Sequence, residues 1–313
     1  MKVVLIGQQA FGKAVLDAFL ARGDTVTAVF CAPEKGRPDP LRLAGEAAGI
    51  PTHMFPKLGS PEALDALRAA DADIGIMAYV TQFVSQEFCA VPTHGTIQFH
   101  PSLLPLHRGA SAMSWSIILG RRETGFTIFR PSDGLDEGPV IFTRTVEITP
   151  TDTLGTVYFG KIFPQGVAGL LEAADLVLAG KGEATAQIED TATYEGIIGD
   201  AESQIHWHQH VDQIYDLIRG CDPAPAAWTT YDGKRLDLFD VEKRPARTFA
   251  EVKGKKLGQL VGLDADGALI QAQGGAILAK RVRLDGGKKI AAADASLTPG
   301  TILGHQPTSL RGI

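Results

Sequence analysis

Three short stretches carry residue types that can do chemistry. In FHPSLLPLHR, residues 99–108, His100 is followed at once by Pro101, and Pro105 closes a stiffened loop. Imidazole is the side-chain group best suited to proton transfer near neutral pH. A structural His bonded to a backbone carbonyl fits the same position, and placement alone does not separate the two. In DGLDEG, residues 133–138, three acids and two glycines sit together. Alone this reads as an exposed turn; beside His100 in space it completes a carboxylate–imidazole pair, the basic unit of acid–base catalysis. In GQQAFG, residues 7–12, the spacing approaches the G-x-G-x-x-G dinucleotide fingerprint, but Gln9 stands where the middle glycine is needed. A tight strand-to-helix turn explains that stretch better than a cofactor site.

Other features are weaker. His206, His208 and His210 alternate around Trp207 but have no acidic or cysteine partner at ligand spacing, so no metal site is expected. Ser111 and Ser114 lack the strand-turn setting of a nucleophile elbow. Lys253, Lys255, Lys256, Lys280, Arg281, Arg283, Lys288 and Lys289 make the C-terminal part locally basic. That suits a solvated face or, less commonly, an RNA surface.

Positioning these residues requires elements, and the pattern supplies them. Apolar runs at residues 2–6, 26–30, 74–78 and 95–100 read as buried strands, with helices over 11–22, 41–49 and from Ser60 between them. Strand and helix in alternation argue for an α/β, doubly wound, mainly parallel sheet. His100 then ends a parallel strand, outside which ligands of open α/β sheets collect. A helix is expected over 112–119, strands over 125–130 and 140–148, and a helix over 154–179 broken near Pro164. A first domain is expected over 1–199. After a helix from about Val211, short glycine-rich strands over 228–231, 235–241, 256–263, 268–271 and 276–282 suggest a small open β-barrel over 200–303. Residues 304–313 read as a frayed tail.

Bulk properties bound the rest. The chain has 313 residues, 44% hydrophobic and 21% charged, with net charge −6. It has no global basic field to favour general nucleic-acid binding. Three scattered cysteines give no disulfide framework and suit a reducing compartment. With neither a signal-peptide pattern nor a run of about 18 apolar residues, a cytoplasmic protein without a membrane anchor is expected.

Taken together, VVLIGQQAFG, VFCAPEKGRPDPL, HPSLLPLHRGASAMSW, GFTIFRPSDGLDEGPV, TYEG and IRGCDPAPAAWT resemble the folate-dependent formyltransferase family over almost the whole chain. The pattern is most similar to the hydrolase domain of 10-formyltetrahydrofolate dehydrogenases. The C-terminal part is similar to methionyl-tRNA formyltransferases. The resemblance implies a Rossmann-like formyltransferase fold with an OB-like C-terminal barrel. It implies a catalytic His100 and an essential Asp136. It also implies that Gln82, Phe83 and Val84 hold the pteridine, largely through backbone groups, while the loop of Asp133, Gly134 and Leu135 closes the other side. Gln98 departs from the family pattern. Amine formyltransferases carry Asn there, and the dehydrogenase's hydrolase domain an apolar residue; Gln keeps the amide with a longer reach, as a further oxyanion donor.

The function expected is therefore formyl transfer from 10-formyltetrahydrofolate, first to water, giving formate and tetrahydrofolate. An amine acceptor is the alternative, methionyl-tRNA first among them. A non-catalytic folate carrier would need no His–carboxylate pair, and an NAD-linked enzyme is disfavoured by Gln9. Folate is the small-molecule partner, and no metal or membrane is implied.

Overall fold

The computed structural model describes residues 1–34 and 36–304. The expected tail, apart from Gly304, and Lys35 lie outside the described residues. In chain order the elements are β1 (Lys2–Gly7), α1 (Gln9–Ala21), β2 (Thr25–Cys31), α2 (Pro40–Ala47), β3 (Thr52–Met54), α3 (Pro61–Ala69), β4 (Ile74–Ala78), α4 (Gln86–Cys89), β5 (Thr96–His100), α5 (Ala112–Ile118), β6 (Glu123–Phe129), β7 (Val140–Glu147), α6 (Leu154–Val157), α7 (Phe163–Leu178), α8 (Val211–Cys221), β8 (Ala227–Tyr231), β9 (Lys234–Pro245), β10 (Leu260–Asp264), β11 (Gly267–Ala272), β12 (Gly275–Leu284) and β13 (Ile290–Ala291). They fall into two compact units interleaved in sequence. One comprises 1–112, 124–147 and 159–195, the other 113–123, 148–158 and 196–313.

The first unit holds a seven-stranded sheet in the order β3-β2-β1-β4-β5-β6-β7. The strands from β3 to β5 are parallel, and β6 runs antiparallel to β5. This is the doubly wound, mainly parallel sheet of the sequence reading. The buried runs of β1 and β4 are apolar on both faces, as strands covered on both sides must be. Helix starts follow local chemistry: Ser60 caps α3 by accepting the Ala63 N–H, with Pro61 in the first turn. α7 sits close on the sheet because Gly166 and Gly169 leave room for the rings of Phe99 and Phe126; a Cβ would approach them to 2.4 and 2.6 Å. Phe99 in turn packs on Phe11, with ring centroids 4.5 Å apart. This aromatic layer backs the strand that ends in His100.

The second unit is an antiparallel sheet in the order β10-β11-β12-β9-β8, with β13 added to β12. It closes over a core of Ile214, Ile218, Leu236, Leu238, Ile270, Ile277 and Val282. α8 presents buried residues at helical spacing to this core. Gly220 packs on Ile118, and a Cβ there would lie 2.6 Å from the Ile118 side chain.

Some elements differ from the sequence reading. β3 was not anticipated; three residues with a polar first pair give no periodicity to read. The break expected near Pro164 is a π-helical turn, Tyr158–Ile162, between α6 and α7. The strand expected over 256–263 starts only at Leu260, because Gly258 takes a left-handed conformation. Among the described residues no helix is long and apolar enough to cross a membrane.

Candidate active site

β4 and β5 are parallel neighbours, with Met77 opposite Gln98. The chain leaving β4 and the His100 end of β5 therefore emerge on the same side of the sheet. Strand alternation puts Gln98 and His100 on one face of β5, away from Phe99. Gln98 is partly buried and lies between Met77 and Phe129 of the neighbouring strands.

His100 is buried and held on both sides of its ring. Nε2 lies 3.0 Å from the His107 carbonyl oxygen, which can only accept, so that nitrogen carries a proton. Nδ1 lies 3.4 Å from Asp136 Oδ2. The structure thus brings together the two residues on which the sequence reading turned. Their gap exceeds the ordinary hydrogen-bond range, as apo sites often show before substrate tightens them.

Asp136 reaches His100 from an unusual backbone. Its φ is +56°, left-handed for a non-glycine residue. Oδ2 also accepts the Gly109 N–H at 2.8 Å. The loop that carries it is tightly wound; a Cβ on Gly134 would fall 2.0 Å from the Glu137 carboxylate. Leu135, 56% exposed, stands out from the same loop next to Asp136. Asp133 is exposed.

The proline loop is held by its own network. Thr127 Oγ1 donates to the Ser102 carbonyl at 2.7 Å and accepts the Leu104 N–H at 3.0 Å. Ser102 Oγ donates to the Leu106 carbonyl at 2.6 Å. His107 is left-handed, with φ +57°, and its N–H donates to Thr193 Oγ1 at 2.8 Å. Its Nδ1 is 3.1 Å from Glu195.

Residues 82–84 form a loop after β4. The Gln82 side-chain amide is committed to the carbonyls of Phe55 (2.8 Å) and Pro56 (3.0 Å). The backbone N–H groups of Gln82, Phe83 and Val84 have no partner among the described residues. Val84 is buried, whereas Phe83 is 71% exposed, an apolar ring offered to solvent. Exposed apolar surface with uncommitted backbone donors is what a flat heteroaromatic ligand requires.

The other stretches resolve differently. At the end of β1, Gln9 has φ +63°, and its N–H donates to Asp39 Oδ2 at 2.8 Å. Asp39 Oδ1 also accepts Leu41 N–H and caps α2. The chain's own carboxylate occupies the donors that a pyrophosphate would need. Among the described residues no group of three His, Cys, Asp or Glu side chains is placed to hold a metal. The rings of His206 and His208 lie 5.7 Å apart. The three cysteines are free and buried. Burial pushes the Cys31 and Cys221 thiols up to about 12 and Cys89 to about 11, which removes them as nucleophiles.

Sequence reasoning missed the segment opposite these loops. Arg108 is buried and bridges Glu189 (2.8 and 2.9 Å) and the Gln187 side-chain oxygen (2.9 Å). Hydrogen bonding to Glu189 raises the Arg108 pKa from its ordinary value, and Arg108 in turn lowers that of Glu189. The Q-x-E spacing of Gln187 and Glu189 was the available signal, since alternate residues of an extended chain share a side.

The chain is similar to known proteins along most of its length. The family model described as formyl transferase matches residues 1–172, and that of the formyl transferase C-terminal domain matches 197–305. Mitochondrial 10-formyltetrahydrofolate dehydrogenase of Mus musculus is 34% identical over 94% of this chain, and the match covers 33% of that protein. The chain thus spans about a third of the length of that relative. A methionyl-tRNA formyltransferase of Geobacter metallireducens is 30% identical over 97% of this chain and 99% of its own length. HypX from Aquifex aeolicus, solved in complex with tetrahydrofolic acid, shares the fold at TM-score 0.68 and 19% identity, covering 94% of this chain and 46% of its own.

Proposed function

Because this chain belongs to the formyl transferase family, we propose that it moves the formyl group of 10-formyltetrahydrofolate to water, releasing formate and tetrahydrofolate in the cytoplasm. The observation that carries this is the buried His100–Asp136 pair, 3.4 Å apart at a parallel strand end. Folate lies against residues 82–84 on one side and 133–135 on the other. Their free backbone donors and exposed Phe83 and Leu135 suit the pteridine.

In the reaction, water adds to the formyl carbon and the carbonyl π electrons move onto oxygen. His100 keeps Nε2–H on the His107 carbonyl and, when Nδ1 also carries a proton, turns that N–H to the oxyanion. Gln98, on the same strand face, is the second donor; one such donor is worth about 2.7–4 kcal/mol. Asp136 takes the proton of the attacking water. The oxyanion collapses, the C–N bond breaks, and the leaving nitrogen takes that proton, so formic acid and the amine leave with Asp136 restored. Acid–base help of this kind contributes about 10²–10⁴-fold.

Charge pairing favours water over tRNA as acceptor. In the C-terminal unit Lys280 pairs with Glu242, Arg281 with Asp240, Arg283 with Asp237, and Lys289 with Asp222 and Asp240. A phosphate backbone would have to compete with these acids. Transfer to an amine is the second reading, favoured by the match along 99% of the methionyl-tRNA formyltransferase.

The deciding assay mixes pure protein with 10-formyltetrahydrofolate, first alone and then with amines including methionyl-tRNA. Formate release without amine is expected. Turnover only with amine, or tRNA retention in a gel that falls steeply with salt, would replace hydrolysis with transfer.

A further inference from the structure

The same short segment that sequence reasoning missed binds Asp136 directly and reaches His100 through its anchor, His107. Gln187 Nε2 donates to the Asp136 carbonyl at 2.8 Å and to the Gly138 carbonyl at 2.7 Å. Its Oε1 accepts from Arg108 Nη2 at 2.9 Å. Both donor hydrogens and the acceptor of this amide are therefore used. Six residues on, Thr193 accepts the His107 N–H on its hydroxyl, and its carbonyl accepts the Arg108 N–H at 2.9 Å. The His107 carbonyl is the group that anchors His100 Nε2.

We propose that Gln187 is a positioning residue: it holds Asp136 in its left-handed conformation and, with Thr193, sets the width of the His100–Asp136 gap. Three observations converge on this. A non-glycine residue at φ +56° persists only where its surroundings over-determine it, and Gln187 grips the peptide oxygens at Asp136 and two residues on. Arg108 is itself fixed by Glu189, so the amide cannot rotate without losing a charged donor. Arg108 and His107, adjacent in the chain, tie this grip to the anchor of His100. The pair is thus held from one segment, 49–86 residues away in sequence from the atoms it binds.

The inference rests on the catalytic reading of His100 and Asp136, and its test separates the two. Gln187→Met keeps length and removes every hydrogen bond; Gln187→Glu keeps an acceptor for Arg108 but removes both donors. Each should lower kcat for formate release, approaching 100-fold if the carboxylate drifts by about 1 Å. KM should stay within about threefold, since uniform binding is untouched. The pH profile should change shape, and the ring ¹⁵N signals of His100, assigned by their loss in His100→Asn, should move. Glu189→Gln, which leaves the amide in place, should give the smaller loss. Wild-type kcat, pH profile and ¹⁵N shifts in either Gln187 variant would overturn the proposal. So would a kcat loss that only tracks the unfolded fraction in thermal melts. If the wild type transfers no formyl group to any acceptor, the catalytic reading fails, while the ¹⁵N shifts still decide whether Gln187 sets the pair.

Discussion

Two strand ends of one sheet meet the same side of the first unit and behave differently. The chain leaving β1 turns through left-handed Gln9, and the chain leaving β5 turns through left-handed His107. At β1 the buried carboxylate of Asp39 takes the N–H groups of Gln9 and Leu41, and Gly7 lies so close to Ala78 that a Cβ would sit 2.0 Å from its carbonyl oxygen. At β5 the ring of His100 is anchored at one nitrogen and faces an unclosed 3.4 Å gap at the other. A parallel strand end therefore only permits a site. What decides is whether the chain's own side chains have already used the polar groups there.

The largest expected effect is at the open end. His100→Ala or Asp136→Asn should lower kcat by about 10²–10⁴-fold, while folate affinity, read by fluorescence titration, stays measurable. Loss of binding with intact residual turnover would break the contrast. At the filled end the effect should be on stability instead. Asp39→Ala removes the cap of α2 and should cost about 1–2 kcal/mol. It should lower the melting temperature by roughly 2–4 °C for each kcal/mol, with formyl transfer unchanged. A gain of NAD affinity in that variant, measured by calorimetry, would mean that the filled end is a closed nucleotide site.

A smaller effect sharpens the same comparison. Burial first, and the Asp39 carboxylate next, raise the Cys31 thiol to about 12. At pH 8 the thiolate fraction is then very small, so native protein should resist iodoacetamide. Asp39→Asn should accelerate labelling of Cys31, read by mass spectrometry, more than labelling of Cys221, whose thiol is raised by burial and then by Asp222.

The sheet was legible because its central strands are apolar on both faces, and their runs alone placed β1, β2, β4 and β5. His100 was legible as a His before proline at a strand end. Asp136 needed the family pattern, since acids and glycines in a row usually mean a turn. The Q-x-E spacing hinted that Gln187 and Glu189 share a side, but the role of Gln187 was not legible, because its partners Asp136 and Arg108 lie 51 and 79 residues away and no periodicity links them. The basic stretch around 280–289 was half legible. Its charges are real, but the acids that offset several of them come from Asp222, Asp237, Asp240 and Glu242, on or before β9.

Left-handed backbone at His107 and Asp136 also bears on how this molecule tolerates selection for heat resistance. Each such residue costs roughly 1–2 kcal/mol relative to a relaxed conformation, a penalty that glycine would lift. A screen that rewards only survival at high temperature should therefore accept glycine at both positions, and the glycine at 136 would return idle protein, whereas the one at 107 keeps the peptide groups that hold His100 and Thr193.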